Sequence, residues 1–362
     1  MAKKLKKVFR ALGNIRFTIF LLTALFLLIL FATFAQVDLG IFEANKRYFS
    51  SWFVWMNKTP IFLGGYSIGL LLLINLLSSH TTHFQFTKRY IGIFLIHFGL
   101  VLLIIGSGIT SFFAKEMQIA IPVSESRNYV EYPSEFELVL IDQSNPNTDI
   151  LHTFQFHELA KGVHFQSFDL TILDYSDNAI INQRGIENLK FSQLGRNYKL
   201  IDLPKTYKMS ERNIPGMILK ASNQTMDQRF LVWGGSAVYQ TIQLNGVEYL
   251  LNVRPKRTYL PFSIQLDNFQ KIDYQATDTP KSFISSVSLN TPTGASPFTI
   301  EMNQPLRYSG YTFFQASFTE DENTSVFQVV KNPSWLIPYI SSLVISIGLL
   351  LQMMASMKRR PV

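Results

Sequence analysis

Four long apolar stretches constrain the fold of this chain more than any other feature of its sequence. They span residues 17–36, 61–79, 90–114 and 335–357. Each is long enough, as a helix, to cross a hydrocarbon core of about 30 Å. Because a backbone in lipid must satisfy its own hydrogen bonds, we predict that each stretch forms a transmembrane helix.

Basic residues lie beside these stretches and predict their orientation. The segments 1–16, 80–89 and 358–362 together hold eleven Lys and Arg residues and no Asp or Glu. The positive-inside rule places such segments in the cytoplasm, so both termini and the 80–89 loop are predicted to lie there. Residues 37–60 then form an outer loop, and residues 115–333 form a large outer segment.

The outer segment, 115–333, is predicted to be β-rich. Its apolar and polar residues alternate in short runs such as FELVLID at 136–142, VEYLLNVRP at 247–255 and FSIQLDNF at 262–269, separated by turn clusters rich in Asn, Gly and Pro. The stretch 185–230 is less periodic and is predicted to hold long loops or a short helix. It holds 19 Lys and Arg against 23 Asp and Glu, so the overall charge of +8 does not indicate nucleic-acid binding. We therefore predict a multi-pass membrane protein with four transmembrane α-helices plus one large β-rich extracytoplasmic domain, sandwich-like or barrel-like.

The residue types that are missing exclude several classes of function. The sequence contains no Cys, which excludes disulfides, thiolate metal sites and thiol nucleophiles. The motifs G-x-S-x-G, G-x-G-x-x-G and H-E-x-x-H and the Walker loop are also absent. These absences disfavour a hydrolase or nucleotide enzyme acting alone, and no catalytic residue is predicted.

His97 is the one residue among Asp, Glu, Lys, Arg and His that lies inside the four stretches. A polar group in hydrocarbon is costly, so it normally faces a partner, a cavity or a ligand. Gly92, Gly99 and Gly106 are spaced by seven residues on another face of the same predicted helix and favour close helix packing. We predict that the glycines pack against one helix while His97 faces another. His97 is then either hydrogen-bonded to that helix or a cofactor ligand.

The other five histidines give weaker signals. His80 and His83 are three residues apart and share one helix face at the inner end of the second stretch, where they either contact a ligand from the cytoplasm or are simply solvated. His152, His157 and His164 have spacings of five and seven, which align on neither a strand nor a helix. We predict structural or surface roles for these three.

Two aromatic features have both a structural and a functional interpretation. Trp52 and Trp55 lie in the predicted outer loop, where they either sit at the lipid headgroup level or line a ligand site. Residues 305–315 combine Pro, Gly and several aromatic residues and predict a β-hairpin. A docking role for that hairpin is the alternative.

Several segments carry a family resemblance. They are IHFGLVLLIIG around His97, NQPLRYSGYTFFQASF at 303–318, VFQVVKNPSWLIPYISSLVISIGLLL at 326–351, and the opening RFTIFLLTALFLLILFATFAQ. In these segments, and in the order of its predicted helices and outer domain, the chain resembles the ResB/CcsB family of cytochrome c biogenesis system II. The resemblance extends over nearly the whole chain.

That resemblance implies a location, a cargo and partners. It implies a bacterial cytoplasmic (inner) membrane protein that pairs with a ResC/CcsA-type protein carrying a WWD motif. Together the two would pass haem b outward and present it for attachment to apocytochrome c. His97 matches the family's intramembrane haem ligand. A part for His80 and His83 in haem entry is predicted only from their position at the inner end of the second stretch. This sequence has no WWD motif, so the resemblance implies the unfused ResB half, which is not expected to complete attachment alone.

A count of imidazoles leaves an alternative open. A haem iron with two axial histidines needs two imidazoles, and the sequence supplies only His97 at membrane depth. Either a partner supplies the second ligand, or His97 does not bind haem in this manner. The rival prediction is a membrane-anchored β-domain that binds or scaffolds another component and holds no haem.

Overall fold

The computed structural model describes residues 2–83, 87, 90–145, 148–206, 213–221, 228–275, 280–319 and 323–357, without the side chains of residues 2–6, 82, 83, 157 and 280. The chain divides into two compact units. The helical unit comprises residues 1–115 and 331–362, and the β unit comprises residues 116–206 and 210–330. The predicted tail 358–362 and most of the predicted 80–89 loop lie outside the described residues.

Long apolar helices dominate the helical unit. In chain order the helices are α1 (Ala2–Leu12), α2 (Ile15–Ala44), α3 (Gly65–His83), α4 (Ile91–Phe113), the short α5 of the β unit (Leu194–Asn197) and α6 (Ile337–Met357). Within the described residues, three segments are long and apolar enough to cross a membrane: Ile15–Phe49, Ile91–Phe113 and Ile337–Met357. The predicted second span corresponds to α3, whose place in a membrane stays a prediction.

The helix that contains the first predicted span, α2, extends further than the sequence predicted. The apolar run ends near residue 36, but α2 continues through Asp38 to Ala44. Gly40 has a φ of 74°, which bends the helix at a position where glycine carries no steric penalty. A single charged residue ends an apolar pattern without ending the helix, which is why the predicted boundary was too early.

A β-hairpin occupies the rest of the predicted outer loop. Strand β1 (Phe53–Met56) pairs with β2 (Thr59–Leu63) through Asn57 and Lys58, both with positive φ, as a two-residue hairpin turn requires. Residues 61–63, predicted to begin the second helix, therefore lie in a strand, and α3 begins at Gly65. A short apolar run does not distinguish a strand from a helix, so the sequence alone gave no boundary here.

The glycine stripe of α4 packs against α6, as predicted. Gly92, Gly99 and Gly106 are buried, and a Cβ at Gly92 would lie 2.7 Å from the carbonyl oxygen of Gly348. At one end of this contact the Thr110 and Ser334 hydroxyls lie 2.6 Å apart. The two backbones can approach this closely because no side chain separates them.

The β unit contains the remaining strands. They are β3 (Lys115–Pro122), β4 (Ser126–Asp142), β5 (Ile150–Gln155), β6 (His164–Phe165), β7 (Leu170–Ser176), β8 (Ala179–Gln183), β9 (Phe191–Ser192), β10 (Tyr198–Asp202), β11 (Gly216–Ala221), β12 (Gln228–Trp233), β13 (Gln240–Leu244), β14 (Val247–Asp273), β15 (Pro280–Thr291), β16 (Gly294–Glu301), β17 (Leu306–Tyr308), β18 (Tyr311–Phe318) and β19 (Thr324–Lys331). Within the described residues they form a ten-stranded sheet with the path β16-β15-β14-β4-β3-β19-β18-β17 joined by β13 and β5, a five-stranded sheet β6-β7-β11-β12-β9, and the pair β10-β8. The prediction of a β-rich domain is confirmed.

Two hydrophobic cores share the two longest strands. One core contains Val130 of β4 and Leu266 of β14, and the other contains Leu138 of β4 and Val253 of β14. The sequence predicted separate strands at 247–255 and 262–269, whereas both ranges belong to β14, whose pairing with β4 shifts register between them. Across these register shifts the backbones of β4 and β14 stay continuous, and their side chains contribute to two different cores.

The predicted hairpin at 305–315 is also confirmed. Strand β17 pairs with β18 through Ser309 and Gly310, both with positive φ. Tyr311 and Phe313 are buried, whereas Phe314 is exposed. Residues 185–230, predicted to hold loops or a short helix, contain α5 and short strands, and their residues 207–212 and 222–227 lie outside the described residues.

Candidate functional site

The structure brings His80 and His97 together. His80 lies near the end of α3 and His97 lies in α4, and their ring centroids are 5.0 Å apart with an interplanar angle of 75°. The ring of Phe94 lies 5.7 Å from that of His80. The predicted arrangement, with the glycine stripe on one neighbour and His97 on another, is confirmed: the glycines contact α6 and His97 faces α3.

Close contacts at the corner between α1 and α2 position α3. The Asn75 side chain is buried in α3, donates to the carbonyl oxygen of Leu12 at 2.6 Å and accepts from the Thr18 hydroxyl at 2.9 Å. At Gly13 a Cβ would lie 2.8 Å from the backbone nitrogen of Ser79, the residue before His80. These contacts fix the turn of α3 that carries the histidine.

Hydrogen bonding sets the chemistry of the two imidazoles. Nδ1 of His80 lies 3.3 Å from the carbonyl oxygen of Leu76. Because a carbonyl only accepts, Nδ1 carries the proton in this bond and the lone pair resides on Nε2. In His97, Nδ1 is buried and has no hydrogen-bond partner among the described residues. A buried imidazole nitrogen without a partner costs free energy, which an incoming ligand or metal could recover.

The remaining histidines do not join this site. The His152 ring packs against Phe168 at 5.0 Å and Tyr249 at 6.2 Å. Nδ1 of His164 lies 3.0 Å from the Thr171 hydroxyl in a strand pair. Both are structural contacts of the β unit. The side chains of His83 and His157 lie outside the described residues.

The β unit has a polar cleft of about 420 Å³, but its charges are already paired. Lys205 contacts Asp177 at 3.0 Å, and Lys256 contacts Glu135 at 2.9 Å. Burial works against the charged form of Asp177, but hydrogen bonds from Tyr175 and Lys205 hold the pKa of that carboxyl below its usual value. Burial, together with Asp177, raises the pKa of the Tyr175 hydroxyl. The four charged side chains that line the cleft thus contact one another in pairs.

The histidine pair offers at most two protein ligands to a metal ion. Among the described residues, no group of three or more His, Asp or Glu side chains could hold a metal ion. Haem iron, by contrast, needs only one or two axial imidazoles because the porphyrin supplies the other four ligands. His97 offers a buried imidazole with an unpartnered nitrogen.

The role of His97 as a ligand stays a prediction, and sequence reasoning missed its contact with His80. The sequence argument counted one imidazole at this depth, and the structure places a second ring beside it. The signal was present in the short connection between α3 and α4, which makes the end of one helix face the start of the other. It did not specify which faces of the two helices meet.

Known proteins are similar to this chain over most of its length. The model of the ResB-like family matches residues 87–325, a range that includes His97 and nearly all of the β unit. Protein NrfI of Wolinella succinogenes is 25% identical over 339 residues, which cover 91% of this chain and 34% of that protein. The chain therefore spans about a third of the length of this curated relative.

Proposed function

This chain belongs to the ResB-like family, and from that membership we propose that it is a haem-handling subunit of a system II cytochrome c synthase. In this proposal it carries haem b as cargo and works with a ResC/CcsA-type protein whose WWD motif this chain lacks. Covalent attachment to apocytochrome c takes place at the partner's site, and no residue of this chain is assigned as acid, base or nucleophile.

The contact between His80 and His97 is the observation that carries the proposal. Two imidazole rings lie 5.0 Å apart between apolar helices, and Nδ1 of His97 is buried without a partner in the described part of the chain. A structural histidine at such a position would be expected to use that nitrogen in a hydrogen bond. A ligand to haem iron needs one ring nitrogen that no protein group already engages.

The two histidines have different proposed roles. An iron bound between both rings, about 2 Å from each nitrogen, would hold the ring centroids further apart than the observed 5.0 Å. We therefore assign His97 as the axial ligand and His80 as the residue that orients it during haem uptake. The opposite axial ligand then comes from the partner. His83, three residues further along α3, is assigned to uptake on its sequence position alone.

The proposal includes a membrane arrangement. Four helices, α2, α3, α4 and α6, would cross the inner membrane with both termini in the cytoplasm and the β unit outside. The absence of Cys allows a direct test, because a single introduced cysteine is the only thiol. In intact spheroplasts, a membrane-impermeant maleimide should label Ser296→Cys and should label Lys7→Cys only after lysis. The reverse pattern would contradict this arrangement.

Haem content tests the function itself. The full chain is co-expressed with a WWD-containing partner, purified in detergent, and its Soret absorbance per complex is measured. His97→Ala should lose most of the absorbance because the axial ligand is gone. His80→Ala should keep the site but lose haem about 10- to 100-fold more readily, the range typical of residues that orient a ligand.

His164→Ala is the matched control because it removes an exposed imidazole of the β unit. Its haem content should equal that of the wild type. If His97→Ala also retains full haem content while the complex stays assembled, the haem proposal fails. The rival function, an anchored β-domain that binds or scaffolds another component, would then be favoured.

A further inference from the structure

A second feature of the helical unit, an apolar cavity between α2, α3 and α4, has no part in the function described so far. Its volume is about 590 Å³, within the range of small-molecule sites. Leu25 of α2, Ile68 and Leu72 of α3, and Leu103 and Ile104 of α4 form much of its wall. The cavity is therefore suited to a largely apolar ligand.

Two glycines in the wall show that this space is not closed by helix packing. A Cβ at Gly69 of α3, or at Gly108 of α4, would meet no atom within 4 Å. On the other face of α4, a Cβ at Gly92 would lie 2.7 Å from backbone atoms of α6. Glycine thus permits close contact with α6 on one face of α4 and leaves open space at the cavity.

One end of the cavity is lined by aromatic rings. Tyr66 stacks on Phe112 with centroids 4.8 Å apart, and Trp52 meets Tyr66 edge-on at 5.6 Å. The Tyr66 hydroxyl lies 2.9 Å from the hydroxyl of Ser111, so polar atoms are found at this end. Flat faces with a polar edge suit a planar conjugated ring better than a flexible acyl chain.

The cavity continues along the same two helices that carry the histidines. Leu73 lies seven residues before His80 on α3, and Ile104 lies seven residues after His97 on α4. Seven residues are two helical turns, so each pair shares a helix face and is separated by about 10 Å along the axis. The histidine pair and the cavity therefore follow one another along the contact between α3 and α4.

The geometry points to a second resting place for the porphyrin ring of the cargo, held by apolar and aromatic contact rather than through its iron. Among the described residues that line the cavity there is no His or Met to ligate iron. This inference rests on the proposed function, in which the chain carries haem. It adds that the ring leaves His97 and moves along α3 and α4 towards Trp52.

A metal-free porphyrin separates this site from the iron site. The full chain in nanodiscs is titrated with protoporphyrin IX, and binding is followed by porphyrin fluorescence anisotropy. The wild type and His97→Ala should bind equally, since no iron is present. Gly108→Leu fills the cavity and should weaken binding about tenfold or more, which corresponds to at least 1.4 kcal/mol. Gly69→Leu, on the facing helix, should do the same.

Gly185→Leu is the matched control, because a Cβ there also meets no atom within 4 Å but the residue lies in the β unit. It should bind protoporphyrin like the wild type. Wild-type affinity in folded Gly69→Leu and Gly108→Leu would overturn the inference. So would loss of a co-purified lipid from these variants, seen by native mass spectrometry, with porphyrin affinity unchanged, because the cavity would then hold lipid.

A conservative pair of variants covers the case in which the leucine variants do not fold. Ser107→Cys places the only thiol of the chain at the cavity, and Ser342→Cys places it on an exposed position of α6. Protoporphyrin IX should slow maleimide labelling of the first and leave the second unchanged. Equal labelling of Ser107→Cys with and without porphyrin would overturn the inference, even if haem content still depends on His97.

Discussion

The two sides of α4 pack in opposite ways, although both carry glycine residues. Towards α6, buried glycines bring the two backbones into direct contact. Towards α3, the helices are separated by larger side chains, a pair of imidazoles and a cavity of about 590 Å³. The difference shows that one contact is closely packed, whereas the other leaves open space between the helices.

Hydrogen bonds differ between the two sides in part. On the α6 side, Ser334 is buried and its hydroxyl contacts both Thr110 and the carbonyl oxygen of Gly106. On the α3 side, the Tyr66–Ser111 hydrogen bond is exposed, and His97 retains an unpartnered buried nitrogen within the described residues. The Ser334 hydroxyl is therefore satisfied within the α6 contact, whereas the buried Ser341 hydroxyl of α6 has no hydrogen-bond partner among the described residues.

The strongest test of this comparison replaces one glycine on each side of α4 by alanine. Gly92→Ala should destabilise the protein by about 1–3 kcal/mol, because the new methyl group meets backbone that cannot move aside. Gly108→Ala should instead be neutral or stabilising by up to about 1 kcal/mol, the gain in helix propensity. Thermal unfolding midpoints in one detergent give both values, and shifts of the same sign would break the comparison.

A smaller effect is expected from the hydrogen bond between α4 and α6. Thr110→Val removes the hydroxyl that lies 2.6 Å from that of Ser334 and should cost about 1 kcal/mol. A double-mutant cycle with Ser334→Ala measures the coupling directly. Independent effects of the two substitutions would show that this contact contributes little to the α6 side.

The smallest effect is expected on the α3 side. Tyr66→Phe removes the exposed hydrogen bond to Ser111 but keeps the aromatic ring, so it should cost about 0.5 kcal/mol or less. The unfolding midpoint should change little. A loss as large as that of Thr110→Val would mean that the α3 contact is also structural, contrary to the comparison.

The sequence predicted α4 well because its signals agree with one another. The apolar stretch 90–114 closely matches the helix Ile91–Phe113, and the spacing of Gly92, Gly99 and Gly106 predicted the face that contacts α6. Periodicity shows which residues share a helix face. Three glycines on one face favour close contact with another helix there. The position of His97 opposite this stripe followed from the same arithmetic.

Other parts of the site could not be predicted from local patterns. His80 lies at the end of another helix, and its contact with His97 depends on how α3 is held by Leu12, Gly13 and Asn75. The cavity is a space between three helices, and no local sequence pattern predicts such a space. Trp52 had two interpretations, and only the packing of its ring against Tyr66 placed it at the cavity.

The long strands β4 and β14 have a consequence for the β unit as a whole. Each contributes side chains to both hydrophobic cores, so the two cores are joined through the backbone of both strands. The region should therefore melt in a single transition despite having two centres of packing. Cuts after residues 133 and 256 would separate the side chains of the two cores, but they would break both shared strands at the point where each passes from one core to the other.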